Sequence, residues 1–162
     1  MTISARVWLG GIAAVSLTAV GAALVSQHVF EMQPCPWCVL QRLIFVLIAL
    51  LAVLGLAWRS VAGQRGVALG LLALSAAGIA TVLWQHFVAA ASTSCNLTLA
   101  DRIMNASGLP GLLPEIFEAR ATCADAAVNL YGVPYEFWSL ALFVAIEAAA
   151  ISLLLRSSSK IR

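Results

Sequence analysis

Long uninterrupted runs of apolar residues, separated by short polar clusters, dominate this chain. A helix needs about 20 mostly apolar residues to cross a bilayer, because each residue advances ~1.5 Å and no water satisfies the backbone in between. Four stretches meet that requirement: residues 7–27, 39–58, 66–85 and 137–155. The first carries no charge, the second only Arg42 near its start, and the last only Glu147. Glycines inside these runs are compatible with helix, since small residues let helices in lipid approach closely. The pattern predicts an all-α membrane protein, a four-helix transmembrane bundle forming a single domain over residues 1–162. Two loops face one side: a short one, 28–38, and a long one, 87–136.

Composition supports this reading. Only 10% of the residues are charged, against roughly 25% in an average soluble domain. The nine basic and seven acidic residues are too few to cover a water-soluble fold of this size. A net charge of +2 provides no basic field for nucleic acid. Orientation follows from where the basic residues fall. Arg6, Arg59, Arg65, Arg156, Lys160 and Arg162 flank spans on one side, which predicts cytoplasmic termini. The other side holds Arg102 and Arg120 with six of the acids. The first run exceeds the ~7–15-residue core of a signal peptide and follows a single arginine, so it reads as a retained span.

All four cysteines, Cys35, Cys38, Cys95 and Cys123, fall in the two outer loops. An outer location permits disulfides, and four cysteines allow three pairings. A C-x-x-C pair closes too small a loop to add much stability, whereas redox exchange uses such a pair directly. Here it reads Cys35-Pro36-Trp37-Cys38 at the mouth of the second span. A helix starting near Cys38 places that sulfur at the positive end of the helix dipole. Arg42, four residues on, shares its face and adds a full positive charge. Both favour a Cys38 thiolate. An arginine just inside a span is costly and marks a site by default, although arginines near helix ends also snorkel to the headgroups. Zinc normally requires two tight knuckles, and here 27 residues separate Cys95 from Cys123. No metal site is expected. A structural Cys95–Cys123 disulfide, worth roughly 3–4 kcal/mol by chain entropy, stays open at this point.

Taken together, four spans, Pro34-Cys35-x-x-Cys38-x-x-Gln41-Arg42 at the second, and a second cysteine pair in a long loop resemble the bacterial disulfide bond formation protein B (DsbB) family. The resemblance extends to Gln27-His28-Val29 ahead of the first pair, and to Leu109-Pro110 and Pro114 ahead of Cys123. It implies a multi-pass protein of the bacterial inner membrane, with its cysteines periplasmic. It also implies oxidation of a DsbA-like periplasmic thiol oxidase and transfer of two electrons to the membrane quinone pool, ubiquinone or menaquinone. The implied disulfides are Cys95–Cys123 and Cys35–Cys38. The partner thiolate would attack Cys95, the freed Cys123 would attack Cys35, and Cys38 would leave as the thiolate facing the quinone. Arg42 would polarise a quinone oxygen and steady the Cys38 charge.

Other residues divide between readings. Gln27-His28 and Gln85-His86 echo each other at the ends of the first and third spans. His28 and His86 are therefore candidate quinone contacts, or interface anchors. Trp37 reads as an interfacial anchor before a stacking platform. Glu147 lies near mid-membrane, where an ionised carboxylate is expensive, so a bundle-facing, hydrogen-bonded side chain is expected. The apolar segment 109–117 suits a short helix on the membrane surface or a loop packed on the helix ends. A membrane reductase moving electrons outward would need cysteines within the spans, and there are none. A vitamin K epoxide reductase-like protein would carry its C-x-x-C near the last helix of the bundle. A membrane assembly or scaffold protein with purely structural disulfides is the remaining alternative. Four helices around one site can function as a monomer.

Overall fold

The computed structural model describes residues 5–58, 60–91 and 98–159. Four long helices carry the fold: α1 (Ala5–Val29), α2 (Pro36–Ala57), α3 (Val61–Trp84) and α7 (Tyr135–Ser159). All four contain segments long and apolar enough to cross a membrane. They form a ring in which α1 packs on α2, α2 on α3, and α3 on α7. The contact of α7 with α1 that closes the ring is the loosest of the four. Leu17, Leu50, Leu54, Leu69 and Val144 are exposed on the outside of the ring. In water such a surface would be untenable; in lipid it is the expected coat.

The most enclosed of the four is α2, with Val39, Ile48 and Ala52 fully buried. Near the middle of the bundle the Phe45 and Phe143 rings stack at 4.1 Å with an interplanar angle of 6°. Phe143 fits because α3 presents Gly78 to it. A Cβ at Gly78 would lie 2.4 Å from the Phe143 ring. Gly78→Ala must therefore displace either the stack or the helix. It should lower stability by about 1–3 kcal/mol, the usual cost of overpacking. A denaturant titration in detergent micelles, followed by loss of helicity, checks this; an unchanged midpoint would contradict it. One turn deeper, Ser75 of α3 hydrogen-bonds Glu147 of α7, so Glu147 faces the bundle as its cost in lipid requires.

The helices overrun most ends of the apolar stretches, by as much as five residues at the start of α3. The difference that matters for the site lies at α2, which begins at Pro36, so Cys38 stands inside its first turn. Proline is well suited to the first helical position, since its missing N–H would be unsatisfied there anyway.

Over this end of the bundle lies the long loop, which is more ordered than its polarity suggests. It holds α4 (Leu99–Ser107), two single turns, α5 (Leu109–Leu112) and α6 (Pro114–Phe117), and a two-residue antiparallel pair, β1 (Asn129–Leu130) with β2 (Val133–Pro134). A capping box between Thr98 and Asp101 starts α4, and Gly108 at φ 70° ends it. Both α4 and α6 pack on α2, burying Ala100, Met104 and Phe117. Segment 109–117 carries features of both readings: Phe117 is buried against the bundle, while Leu112 and Leu113 stay exposed on and beside two short helical turns.

Candidate active site

The sequence Cys35-Pro36-Trp37-Cys38 is itself the start of a helix. Cys35 is the N-cap residue, with extended backbone (φ −83°, ψ 167°), and its sulfur accepts the Cys38 N–H at 3.3 Å. A cap that reaches three residues forward is what serine or aspartate normally supplies. Using cysteine there brings the Cys35 and Cys38 sulfurs to 2.7 Å as separate thiols. Local helix geometry thus pre-assembles the pair.

The long loop delivers a third sulfur. The backbone N–H groups of Arg120 and Ala121 both donate to the Pro34 carbonyl, at 2.9 and 3.2 Å. This ties the two loops together just before each presents a cysteine. Cys123 then lies against Cys35, which stands between Cys123 and Cys38. Hydrogen bonding from the Cys35 thiol holds Cys123 below the ordinary thiol range, with help from the Trp37 amide. The same contact, together with the Cys38 contact and burial, pushes the Cys35 thiol up. Cys123 is therefore the better nucleophile of the two, and Cys35 the sulfur it faces. Cys95 lies outside the described residues.

Cys38 faces the other way, into a cavity of about 320 Å³ between α1, α2 and α7. Its sulfur receives the Gln85 side-chain amide at 3.3 Å, and Gln85 is oriented in turn by the Gln41 amide at 2.8 Å. Gln85 opens a π-helical turn (Gln85–Ala89) that ends α3. Such turns re-aim side chains and recur at functional sites.

Arg42 also lines this cavity and is buried. Its Nη1 donates to Gln27 Oε1 at 2.6 Å and to the Ile116 carbonyl at 3.0 Å, and its Nη2 to the Ala23 carbonyl at 3.4 Å. All three acceptors are neutral. Among the described residues no carboxylate bonds Arg42, so a full positive charge stands beside Cys38 without a counter-ion. Gln27 is itself anchored, donating to the Glu115 carbonyl at 3.2 Å.

The remaining candidates are placed as follows. His86 is bound through Nδ1 to Glu136 Oε1 at 2.7 Å. Glu136 lines the cavity; His86 stands behind it. His28 is half-exposed, 3.9 Å from Glu115, and does not line the cavity. Trp37 is buried, its ring 6.3 Å from that of Trp84, and lines a groove on the α3–α4 side together with Cys123. The cysteines are thus divided: Cys123 faces that groove, and Cys38 faces the cavity on the α1–α7 side. Sequence reasoning did not single out Gln27, Gln41 and Gln85 as a network. The signal was present: a glutamine within a turn of each of three span ends, where a polar side chain in lipid requires a partner.

Fold and site together define a multi-pass, four-helix membrane protein with a cysteine exchange centre at one end of its bundle. Comparison with known proteins agrees. The family model "Disulfide bond formation protein DsbB" matches residues 5–153. The disulfide bond formation protein B of Herminiimonas arsenicoxydans is 31% identical over 157 residues, covering 96% of this chain and 99% of that protein. That of Ralstonia nicotianae is 31% identical over 159 residues, covering 96% and 98%. That of Cupriavidus metallidurans is 29% identical over 143 residues, covering 86% of each. The chain belongs to the DsbB family of bacterial membrane proteins. Its role is therefore in disulfide bond formation, as a disulfide oxidoreductase.

Proposed function

We propose that the protein is a quinone-dependent thiol oxidase that reoxidises a DsbA-like periplasmic dithiol protein and so sustains disulfide bond formation. The observation that carries this reading is the pairing of Cys38 with an uncompensated buried Arg42 on one cavity wall. In this scheme the termini are cytoplasmic, the cysteines are periplasmic, and a monomer suffices.

A partner thiolate attacks Cys95 of a Cys95–Cys123 disulfide. A partner–Cys95 bond forms, and Cys123 leaves as the thiolate. Cys123 lies against Cys35 and attacks it; the Cys35–Cys123 bond forms as the Cys35–Cys38 bond breaks. Cys38 departs with the electron pair, where the Gln85 amide and the Arg42 charge receive it. The partner's second thiol displaces Cys95 and leaves the partner oxidised; Cys95 re-forms its bond with Cys123 and frees Cys35, which closes again on Cys38 as the electron pair passes to the acceptor. Exchange favours a leaving sulfur whose charge is met.

The cavity fits a quinone ring. Its volume lies within the ~300–1,000 Å³ of small-molecule sites, mostly apolar with a few convergent polar groups. Arg42 also keeps its Nε–H and one Nη2–H without a partner among the described residues. Arg42 and Cys38 would hold the ring, with His86 behind Glu136 in a supporting position; His28 stands outside the cavity. A bound quinone supplies a two-electron acceptor. Ala19, Ala22 and Ala23 line the cavity where α1 meets α7 loosely, which suits entry from lipid.

The test mixes purified protein, a short-chain ubiquinone and a reduced DsbA-type protein, and follows quinone absorbance and partner thiols together. Stoichiometric loss of both is expected. Absence of quinone reduction while the disulfides remain intact would favour the scaffold reading.

A further inference from the structure

We propose that Glu136 and His86 form the proton path between the aqueous end of the bundle and the cavity beside Cys38. This rests on the quinone-reducing reading above and assigns Glu136 a role that no sequence motif indicated. Glu136 is 6% exposed, yet it has not been placed in a dry core. It lines the cavity, where it is the one carboxylate among the described lining residues. Its Oε1 meets His86 Nδ1 at 2.7 Å, and the His86 side chain is 31% exposed. One member of the pair therefore reaches the surface and the other reaches the cavity. The Phe87 and Phe137 rings, centred 4.9 and 4.7 Å from the imidazole, hold it in place.

The opposite end of the cavity is closed. Phe45 lines it and stacks on fully buried Phe143, which in turn seats on Gly78. The next polar groups, Ser75 and Glu147, lie beyond that stack. Glu147 is four residues past Phe143, or roughly 6 Å further along α7. Ser16 of α1, one turn below Ala19 of the cavity wall, is also buried there, with a hydroxyl that is not a titratable group. The other titratable or charged groups lining the cavity are Arg42, Cys38 and Tyr135. Arg42 is fully cationic, Cys38 is the electron donor, and the Tyr135 hydroxyl donates to Ser26 Oγ, another cavity-lining group, at 3.0 Å; that leaves the Glu136–His86 pair to bring protons in from outside.

The balance calls for such a route. Both partner thiols attack as thiolates and leave their two protons at the aqueous end, so exchange carries only the electron pair to Cys35 and Cys38. Re-forming the Cys35–Cys38 bond gives up that pair, and reduction of a quinone to the quinol takes it together with two protons that must reach the cavity by a path of their own. An imidazole accepts a proton at one ring nitrogen and releases another at the second, so His86 can recharge Glu136 through Nδ1 while Glu136 faces the acceptor.

The experiment compares wild type with Glu136→Gln and Glu136→Asp in the full chain, using a short-chain ubiquinone. Glu136→Gln should lower kcat for quinone reduction by roughly a hundredfold, the scale of a lost proton-transfer group. KM for quinone should stay within about twofold. Formate, a small acid able to enter the cavity, should restore most of the rate, and Glu136→Asp should fall between. Disulfide exchange between reduced partner and oxidised protein, measured without quinone, should be unchanged. In quinone-free protein, the downfield His86 Nδ1–H resonance should be lost in Glu136→Gln. Wild-type kcat in Glu136→Gln overturns the proposal, as does a slow variant that formate leaves slow while KM rises, which marks a binding role. A wild type that exchanges disulfides but reduces no quinone overturns the parent reading first, and this one with it. Should Glu136→Gln not fold, Glu136→Asp carries the test: a rate equal to wild type that formate does not alter overturns the proposal.

Discussion

Cys38→Ser is expected to reduce no quinone, while Cys95→Ser is expected to lose turnover at an earlier step. The two failures differ in kind. Without Cys38 there is no Cys35–Cys38 bond for Cys123 to open, and the cavity wall carries a hydroxyl in place of the donor sulfur. The Cys95–Cys123 disulfide is untouched, so the partner should still form a mixed disulfide with Cys95, which then has nowhere to pass its electrons. With a partner whose second cysteine is replaced by serine, so that nothing resolves the bond, a covalent adduct should accumulate, visible as a reducible band of the summed mass. Without Cys95 the partner has no entry sulfur, so no such adduct forms; Cys35–Cys38 stays intact and remains reducible by a small dithiol. That small dithiol should drive quinone reduction in Cys95→Ser but not in Cys38→Ser. Full quinone reduction by Cys38→Ser would remove Cys38 as the electron donor. Retained turnover with the protein partner in Cys95→Ser would remove Cys95 as the point of entry.

Both variants act on residues that were plain in the sequence, and it is instructive which features around them were not. The four spans were legible because lipid leaves so few options: any segment crossing it must be helical and mostly apolar over its whole length. Their ends were less so. An apolar run beginning at Val39 conceals a helix that begins at Pro36, because Cys35 caps it and Pro36 tolerates the first position. That three-residue difference moves Cys38 from a loop into a first helical turn, where its neighbours are fixed. The ordering of the long loop was missed for a related reason. Thr98-x-x-Asp101 and Gly108 bracket α4 as clearly as any caps do, but overall polarity outweighs such local signals when a segment is read for membrane crossing. The approach of Cys123 to Cys35 could not be read from spacing at all. It depends on two backbone N–H groups meeting one carbonyl at Pro34, a tertiary contact with no residue-type signature. The glutamine network lies between these cases: each glutamine is conspicuous, but their convergence on Cys38 and Arg42 requires the fold.

The same distinction sets the expected consequence of changing Arg42. Its side chain has two tasks that substitutions separate: it ties α1 and α6 to α2 through three neutral acceptors, and it brings a positive charge to the cavity. Arg42→Lys keeps the charge, but an ammonium on a flexible stem cannot reach the Gln27, Ile116 and Ala23 acceptors as the planar fork does. Arg42→Leu removes the charge and suits the lipid environment. It strands the Ile116 carbonyl at about 1–3 kcal/mol if left without water, while the Ala23 carbonyl keeps its place in the α1 hydrogen-bond ladder and Gln27 can turn its amide to a new partner. Removing one charged donor aimed at a developing anion typically costs about 10²–10³ in rate. Arg42→Leu is accordingly expected to lower kcat/KM for quinone by roughly that factor. Arg42→Lys should lose about tenfold, mostly in KM, since it keeps the charge and misplaces it by little more than the difference in fork geometry. Steady-state kinetics against quinone concentration, paired with denaturation midpoints for each variant, separate the two tasks. If the guanidinium were only a tie between helices, both variants would lose stability and keep their kcat/KM once folded. If it were only snorkelling, neither measurement would move. The absence of any carboxylate partner among the described residues argues for the catalytic outcome: a buried arginine compensated by neutral acceptors alone is costly in lipid, and that cost is offset when the anion it awaits forms on Cys38 or in the cavity beside it.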